Sequence, residues 1–155
     1  MSSSTAESSE FGVLIDGGWH LTGRVHEVRS PYDDQLVGPA HMAGPTEMEA
    51  AIAAAVRAFA VTRRLPAWRR AEVLGHIADG LEQRHEEFAR TIALEAGKPI
   101  RTARIEVSRA VFVFRIAAEE AKRIYGEIVP LDWLPGLEGR TAQIHRVPLG
   151  PVAGI

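Results

Sequence analysis

Leu94 to Pro130 reads LEAGKPIRTARIEVSRAVFVFRIAAEEAKRIYGEIVP, and this stretch decides the fold. It opens on a helix stop, runs through one long helix, stops again and turns into a strand. Gly97 can take the left-handed conformation that ends a helix, and Pro99 prevents the helix from continuing. Thr102 or a neighbour can cap the next helix. Ile105, Phe112, Ile116 and Ile124 fall near one stripe at helical spacing. Val107, Ala110, Val111, Val113, Phe114, Ala117 and Ala118 fill most of the remaining circumference. A helix apolar nearly all round belongs inside a protein. Glu119, Glu120, Lys122 and Arg123 return its second half to the surface before Gly126 closes it.

Arg109 breaks the pattern, in the apolar half between Ile105 and Phe112. A guanidinium there must reach water, a carboxylate or a bound anion. It either snorkels or pairs with Glu106 or Glu95, or it lines a cavity that receives an anionic ligand.

The chain has 155 residues, enough for one domain with a real core. Its 18 basic and 20 acidic residues nearly balance, so nothing suggests a nucleic-acid partner. With no cysteine, a disulfide scaffold, a thiolate zinc site and a cysteine nucleophile are excluded within this chain. No charged start followed by an apolar core marks a secretory signal. The alanine-rich run Ala50 to Val61 is broken by Arg57 and too short to span a bilayer. The expected location is the cytoplasm, with no membrane partner.

Residues 1–12 are expected to be a loose tail, serine-rich and acidic through Glu10. Short strands follow. Val13 to Ile15 precede Asp16-Gly17-Gly18, a strong turn signal, and then Trp19 and Leu21. Val25 to Arg29 reads as a strand stopped by Ser30-Pro31; Asp33-Asp34 fits a tight turn and Leu36 to Met42 a returning strand. Thr46 and Glu49 make a capping box for a helix whose apolar face is Met48, Ile52, Ala55 and Phe59. Pro66 suits the first turn of the next helix, with Trp68, Leu74, Ile77 and Leu81 at helical spacing. The periodicity resumes at Phe88 and Ile92 and ends at Gly97. These three helices and the long buried one can pack as a helical layer.

After Gly126 the chain turns extended. Glu127 to Leu131 and Arg140 to Val147 read as the two arms of a protruding hairpin joined by Pro135 to Gly139. Pro148, Gly150 and Pro151 stop the second arm. Val152 to Ile155 opens an apolar run of the kind found in buried parallel strands. A domain boundary rarely falls inside such a strand, so the chain is expected to be the front part of something longer. The six histidines are scattered, and none forms an i, i+4 metal-binding pair on one helix. No GxGxxG, P-loop or hydrolase elbow around Ser30 or Ser108 occurs. No complete catalytic constellation is present.

LEAGKP, Glu106-Val107, the run Phe114 to Ala121, GEIVP and RVPLGPVAGI, with Ile15 to Trp19 and Ser30-Pro31 before them, resemble the N-terminal portion of the aldehyde dehydrogenase superfamily. The resemblance covers nearly all of Phe11 to Ile155. It implies an α/β fold with a Rossmann-like nucleotide-binding domain, a catalytic domain and an oligomerisation arm. Residues 13–125 would open the nucleotide-binding domain with a helical layer and short strands. Residues 126–150 would be the β-hairpin arm, and 151–155 the start of the first Rossmann-like strand. The implied oxidoreductase oxidises an aldehyde to a carboxylic acid with NAD or NADP, as a homodimer or homotetramer. In such enzymes a cysteine thiolate attacks the carbonyl, hydride passes to the cofactor, and a glutamate-activated water releases the acid. Neither the cysteine nor the general-base glutamate of that scheme has a counterpart here, so the 155 residues alone are expected to be inactive.

The resemblance also implies roles for particular positions. Ile155 aligns with a residue at the cofactor edge of the first strand; it also reads as a plain core residue. Glu95, with the backbone around Glu27 and Val28, matches a monovalent-cation site of some members; Glu95 also reads as a solvent-facing helix end. Arg109 aligns with a helix position lining the substrate tunnel, where an arginine accompanies aldehydes with phosphate, phosphonate or other anionic tails. The rival to the enzyme is a non-catalytic binding or assembly module that keeps the helical layer and the hairpin.

Overall fold

A computed structural model describes residues 11–154. In chain order the elements are β1 (Val13–Ile15), β2 (Gly18–His20), β3 (Val25–Arg29), β4 (Leu36–His41), α1 (Pro45–Thr62), α2 (Ala67–Gln83), α3 (His85–Ala96), α4 (Ile100–Glu120), β5 (Glu127–Pro130) and β6 (Thr141–Ile144). The strands form three separate antiparallel pairs, β1 with β2, β3 with β4 and β5 with β6.

Turn chemistry sets the first two ribbons. Asp16 and Gly17 both take positive φ, 52° and 79°. Two such residues in a row make the tight turn whose twist matches a hairpin. Between β3 and β4, Asp34 takes φ 58° and the Asp33 carboxylate accepts from the Gln35 N–H at 3.3 Å. In the third ribbon Glu127 pairs with Ile144 and Pro130 with Thr141.

The helices pack through small residues. α2 and α3 both lie on α4. Ala78, Ala89 and Ala103 are fully buried and Val107 is 2% exposed. Ala89, Ala103 and Val107 form the core cluster, with Phe88 and Ile92 packed around it. Alanine at the contact lets the backbones approach closely, so the layer is thin and its core small. Ion pairs clamp the edges. Arg104 reaches Glu86 of α3 through two guanidinium nitrogens, at 2.8 and 2.9 Å. Arg115 pairs with Asp79 and Glu82 of α2 at 2.8 and 3.0 Å. These groups are half exposed, and such pairs contribute about 0.2–1 kcal/mol each. The α1 helix packs mainly on β1 instead of joining the layer, and Arg57 pairs with Asp16 at 2.8 Å.

Three expectations need correction. α1 begins at Pro45, and the backbone N–H that a glutamate caps is that of Gly44, held by Glu47 Oε2 at 2.7 Å. Proline fits the first helical position because it has no N–H to leave unpaired, so the start moves ahead of Thr46. The cap of α4 is Pro99, whose carbonyl accepts from the Thr102 and Ala103 N–H groups at 2.8 and 3.1 Å, so Thr102 already lies inside the helix. The α4 helix is not buried all round: Ile105, Phe112 and Val113 are 50%, 64% and 60% exposed. Two helices cover only the side carrying Ala103, Val107 and Ala118. Pro151 to Gly154 pair with no strand among the described residues, and Val152 is exposed. A strand exists only beside a partner, and among the described residues none runs alongside.

Candidate functional site

The expected cation site gathers at the end of α3. Gly97 ends that helix with φ 61°, and a Cβ there would stand 3.0 Å from Pro31 Cγ. The helix end is therefore seated on the turn after β3, and α3 contacts β3 itself. The β3–β4 register shifts between Val28 and Arg29, an irregularity that frees backbone groups from the ladder. The Glu27 carboxylate turns to Arg29 at 2.7 Å, which leaves only its backbone for a cation. Glu95 is exposed and makes no ion pair among the described residues. The structure thus brings together the elements that carry Glu27, Val28 and Glu95. Among the described residues no three His, Asp or Glu side chains cluster to hold a metal ion.

Arg109 lies apart, on α4. Neither carboxylate offered to it by the sequence is taken up. Glu106 is held by Lys98 at 2.7 Å, and Arg109 has no hydrogen bond or ion pair among the described residues. Ile105 is one turn before it, and Phe112 and Val113 are one turn after it. Side chains three and four apart share a helix face. Arg109 is an unpaired cation in the middle of an exposed apolar face. Ile155, the expected cofactor contact, lies outside the described residues. Gly136 and Gly139, with φ 89° and 75°, sit in the β5–β6 loop, where the Gly136 N–H donates to the Glu138 carboxylate at 2.8 Å.

Sequence reasoning assigned no role to His85 or Ser108. The structure joins them: His85 Nε2 lies 3.0 Å from Ser108 Oγ, across the α3–α4 contact. Ser108 also donates to the Arg104 carbonyl at 3.0 Å, so this is a helix-to-helix tie beside the Arg104–Glu86 pair. Arg104 donates to Glu86 and holds its carboxyl below the usual range.

The comparison with known proteins follows this geometry. Residues 19–155 match the model of the aldehyde dehydrogenase family, and the chain belongs to that family. It is 40% identical over 152 residues to the 3-sulfolactaldehyde dehydrogenase of Priestia aryabhattai, across 98% of this chain and 31% of that one. Its fold matches aldehyde dehydrogenase 21 of Physcomitrella patens, solved with the reaction product succinate, with a TM-score of 0.81 and 32% identity over 86% of this chain and 28% of that one. It also matches PnpE, solved with nicotinamide adenine dinucleotide, with a TM-score of 0.75 and 33% identity over 79% and 26% of the two chains. The chain spans less than a third of each of these proteins. Among the described residues no helix is long and apolar enough to cross a membrane.

Proposed function

We propose that this chain supplies the opening of an NAD(P)-dependent aldehyde dehydrogenase whose substrates carry an anionic tail. Residues 13–125 contribute the helical layer and short strands of the nucleotide-binding domain. Residues 126–150 contribute the hairpin arm to a homodimer or homotetramer, and 151–155 open the first strand, where Ile155 meets the cofactor. Glu95 with the Glu27 and Val28 backbone holds a monovalent cation. The observation that carries the substrate reading is Arg109, an unpaired guanidinium ringed by Ile105, Phe112 and Val113. An apolar face of that size is built to be covered. Once covered, its central cation needs a counter-charge, because a buried unpaired charge is costly. An anionic substrate tail supplies one. The relatives point the same way: one is named for a sulfonate-bearing aldehyde and another was solved with a dicarboxylate product.

Chemistry enters with parts this sequence does not contain. It has no cysteine, so a thiolate nucleophile comes from elsewhere. The test is a chimera in which this chain replaces the matching segment of the Priestia enzyme. The chimera reduces NAD or NADP with succinate semialdehyde. Arg109→Leu in it raises KM for succinate semialdehyde at least tenfold and KM for butyraldehyde less than twofold, the scale of one lost charge-assisted contact, about 1.5–3 kcal/mol. Equal effects on both aldehydes defeat the anion role, and a folded but inactive chimera defeats the enzyme reading.

The zero cysteine count favours a second reading, an assembly module without catalysis. Downstream sequence separates them: an open frame with a later cysteine supports the enzyme, and an early stop supports the module.

A further inference from the structure

A cavity of about 500 Å³ opens where the end of α1, the start of α2, the turn after α4 and the exit from β6 meet. Phe59, Ile124 and Pro148 give it apolar walls. Among the described residues its charged lining groups are Arg63, Arg70 and Arg146, with no carboxylate. Arg109 is not part of it.

What sets this grouping apart is three guanidinium groups at one cavity, one of them with a buried unpaired nitrogen, whereas several other arginines take a carboxylate. Arg57, Arg104 and Arg115 each meet a carboxylate at 2.8 Å. In the cavity, Arg63 lies over the Phe59 ring at 5.5 Å. Arg70 donates to the Leu65 carbonyl, while its Nε is buried with no hydrogen-bond partner. A buried donor left unpaired costs about 1–3 kcal/mol, so native structures seldom leave one without a reason. Arg146 Nε donates to the Tyr125 carbonyl at 3.1 Å, and the nearest carboxylate, Glu127, is 4.0 Å away. Three guanidinium groups against one distant carboxylate leave an excess of two positive charges.

We propose that this cavity binds a small organic phosphate. Its doubly charged oxyanion balances that excess, and its body rests on Phe59, Ile124 and Pro148. Planar guanidinium forks suit phosphate oxygens better than any other side chain does. The volume lies in the range of small-molecule sites and exceeds what a bare phosphate fills. The site brings together four segments distant in sequence, so occupancy ties the hairpin arm to α1 and α2.

The test is equilibrium dialysis of the 155-residue chain against phenyl phosphate and against inorganic phosphate, at low ionic strength where surface charges are least screened. The chain retains about one phenyl phosphate, bound about tenfold more tightly than inorganic phosphate, a gain of about 1.4 kcal/mol from the apolar walls. Arg63→Gln, which loses only its stacking on Phe59, weakens retention at least about tenfold. Arg63→Gln with Arg146→Gln abolishes it. Arg101→Gln with Arg140→Gln removes the same charge from exposed positions outside the cavity and leaves retention unchanged. No retention overturns the proposal, as does equal loss in the two double variants, which would make it a general charge effect. Equal affinity for the two phosphates overturns the organic ligand.

Discussion

The α2–α3–α4 layer and the β5–β6 ribbon answer the same physical demand in opposite ways. In the layer, Ala78, Ala89 and Ala103 disappear completely between helices, and side chains from three elements share one core. In the ribbon, Ile128 and Ile144 stay exposed, Ala142 is only half-buried, and pairing is confined to four residues on each arm. An isolated two-stranded ribbon is marginal in water, whereas helices that bury a shared face stabilise one another. The layer therefore carries its own stability, and the ribbon's depends on what it is laid against.

The largest effect is expected where the layer is tightest. Ala103→Leu pushes three more carbons into a contact with no free space and costs about 3 kcal/mol, the upper range for overpacking. The same change at Ala142 costs less than about 0.5 kcal/mol, because a half-buried arm has room to give. Urea unfolding of both variants checks the contrast; similar losses would put the ribbon and the layer in one cooperative unit.

A second change reverses the contrast. A Cβ on Gly126 would stand 2.2 Å from the Ile144 carbonyl oxygen, a distance no real contact tolerates. Gly126→Ala therefore opens the start of the β5–β6 ladder, and amide exchange at Ile128 and Ile144 speeds up at least about tenfold. The layer's unfolding free energy in urea changes by less than about 0.5 kcal/mol, as expected for distant, independent sites. Protection that survives the substitution would show that the turn relaxes without losing register.

Legibility in the sequence divides along the same line. Gly97, Pro99 and the Asp16-Gly17 turn announce their positions because one residue's backbone preference decides each. The starts of α1 and α4 lie ahead of Thr46 and Thr102 because a proline occupies each entry, at the first helical position in α1 and at the cap in α4. The periodicity of α4 was legible but its burial was not. A pattern says which side chains want cover and is silent on how many neighbours arrive. The elements that carry Glu27, Val28 and Glu95 meet through the seating of Gly97 on Pro31, a contact across distant positions. The arginine cavity was illegible for the same reason, since Arg63 and Arg146 meet only after the hairpin returns.

The smallest effect sharpens the comparison by asking how much of the layer's stability is electrostatic. Glu86 accepts from Arg104, which holds its carboxyl below the ordinary glutamate value; burial opposes this, and the charges of Arg104, His85 and Arg90 add to the lowering. A carboxyl lowered in the folded state stabilises fully above the unfolded value and loses that contribution as pH falls through the folded one. The loss is therefore confined to the acid limb, between the ordinary glutamate value and the lower folded value. Arg104→Gln removes the cause, so its urea stability declines less steeply there than that of the parent. The gap between the two curves closes in high salt because the pair is half exposed. Parallel acid limbs would leave the α3–α4 clamp to Ala89, Ala103 and Val107 with the His85–Ser108 tie, making this layer indifferent to the Glu86–Arg104 charge pair.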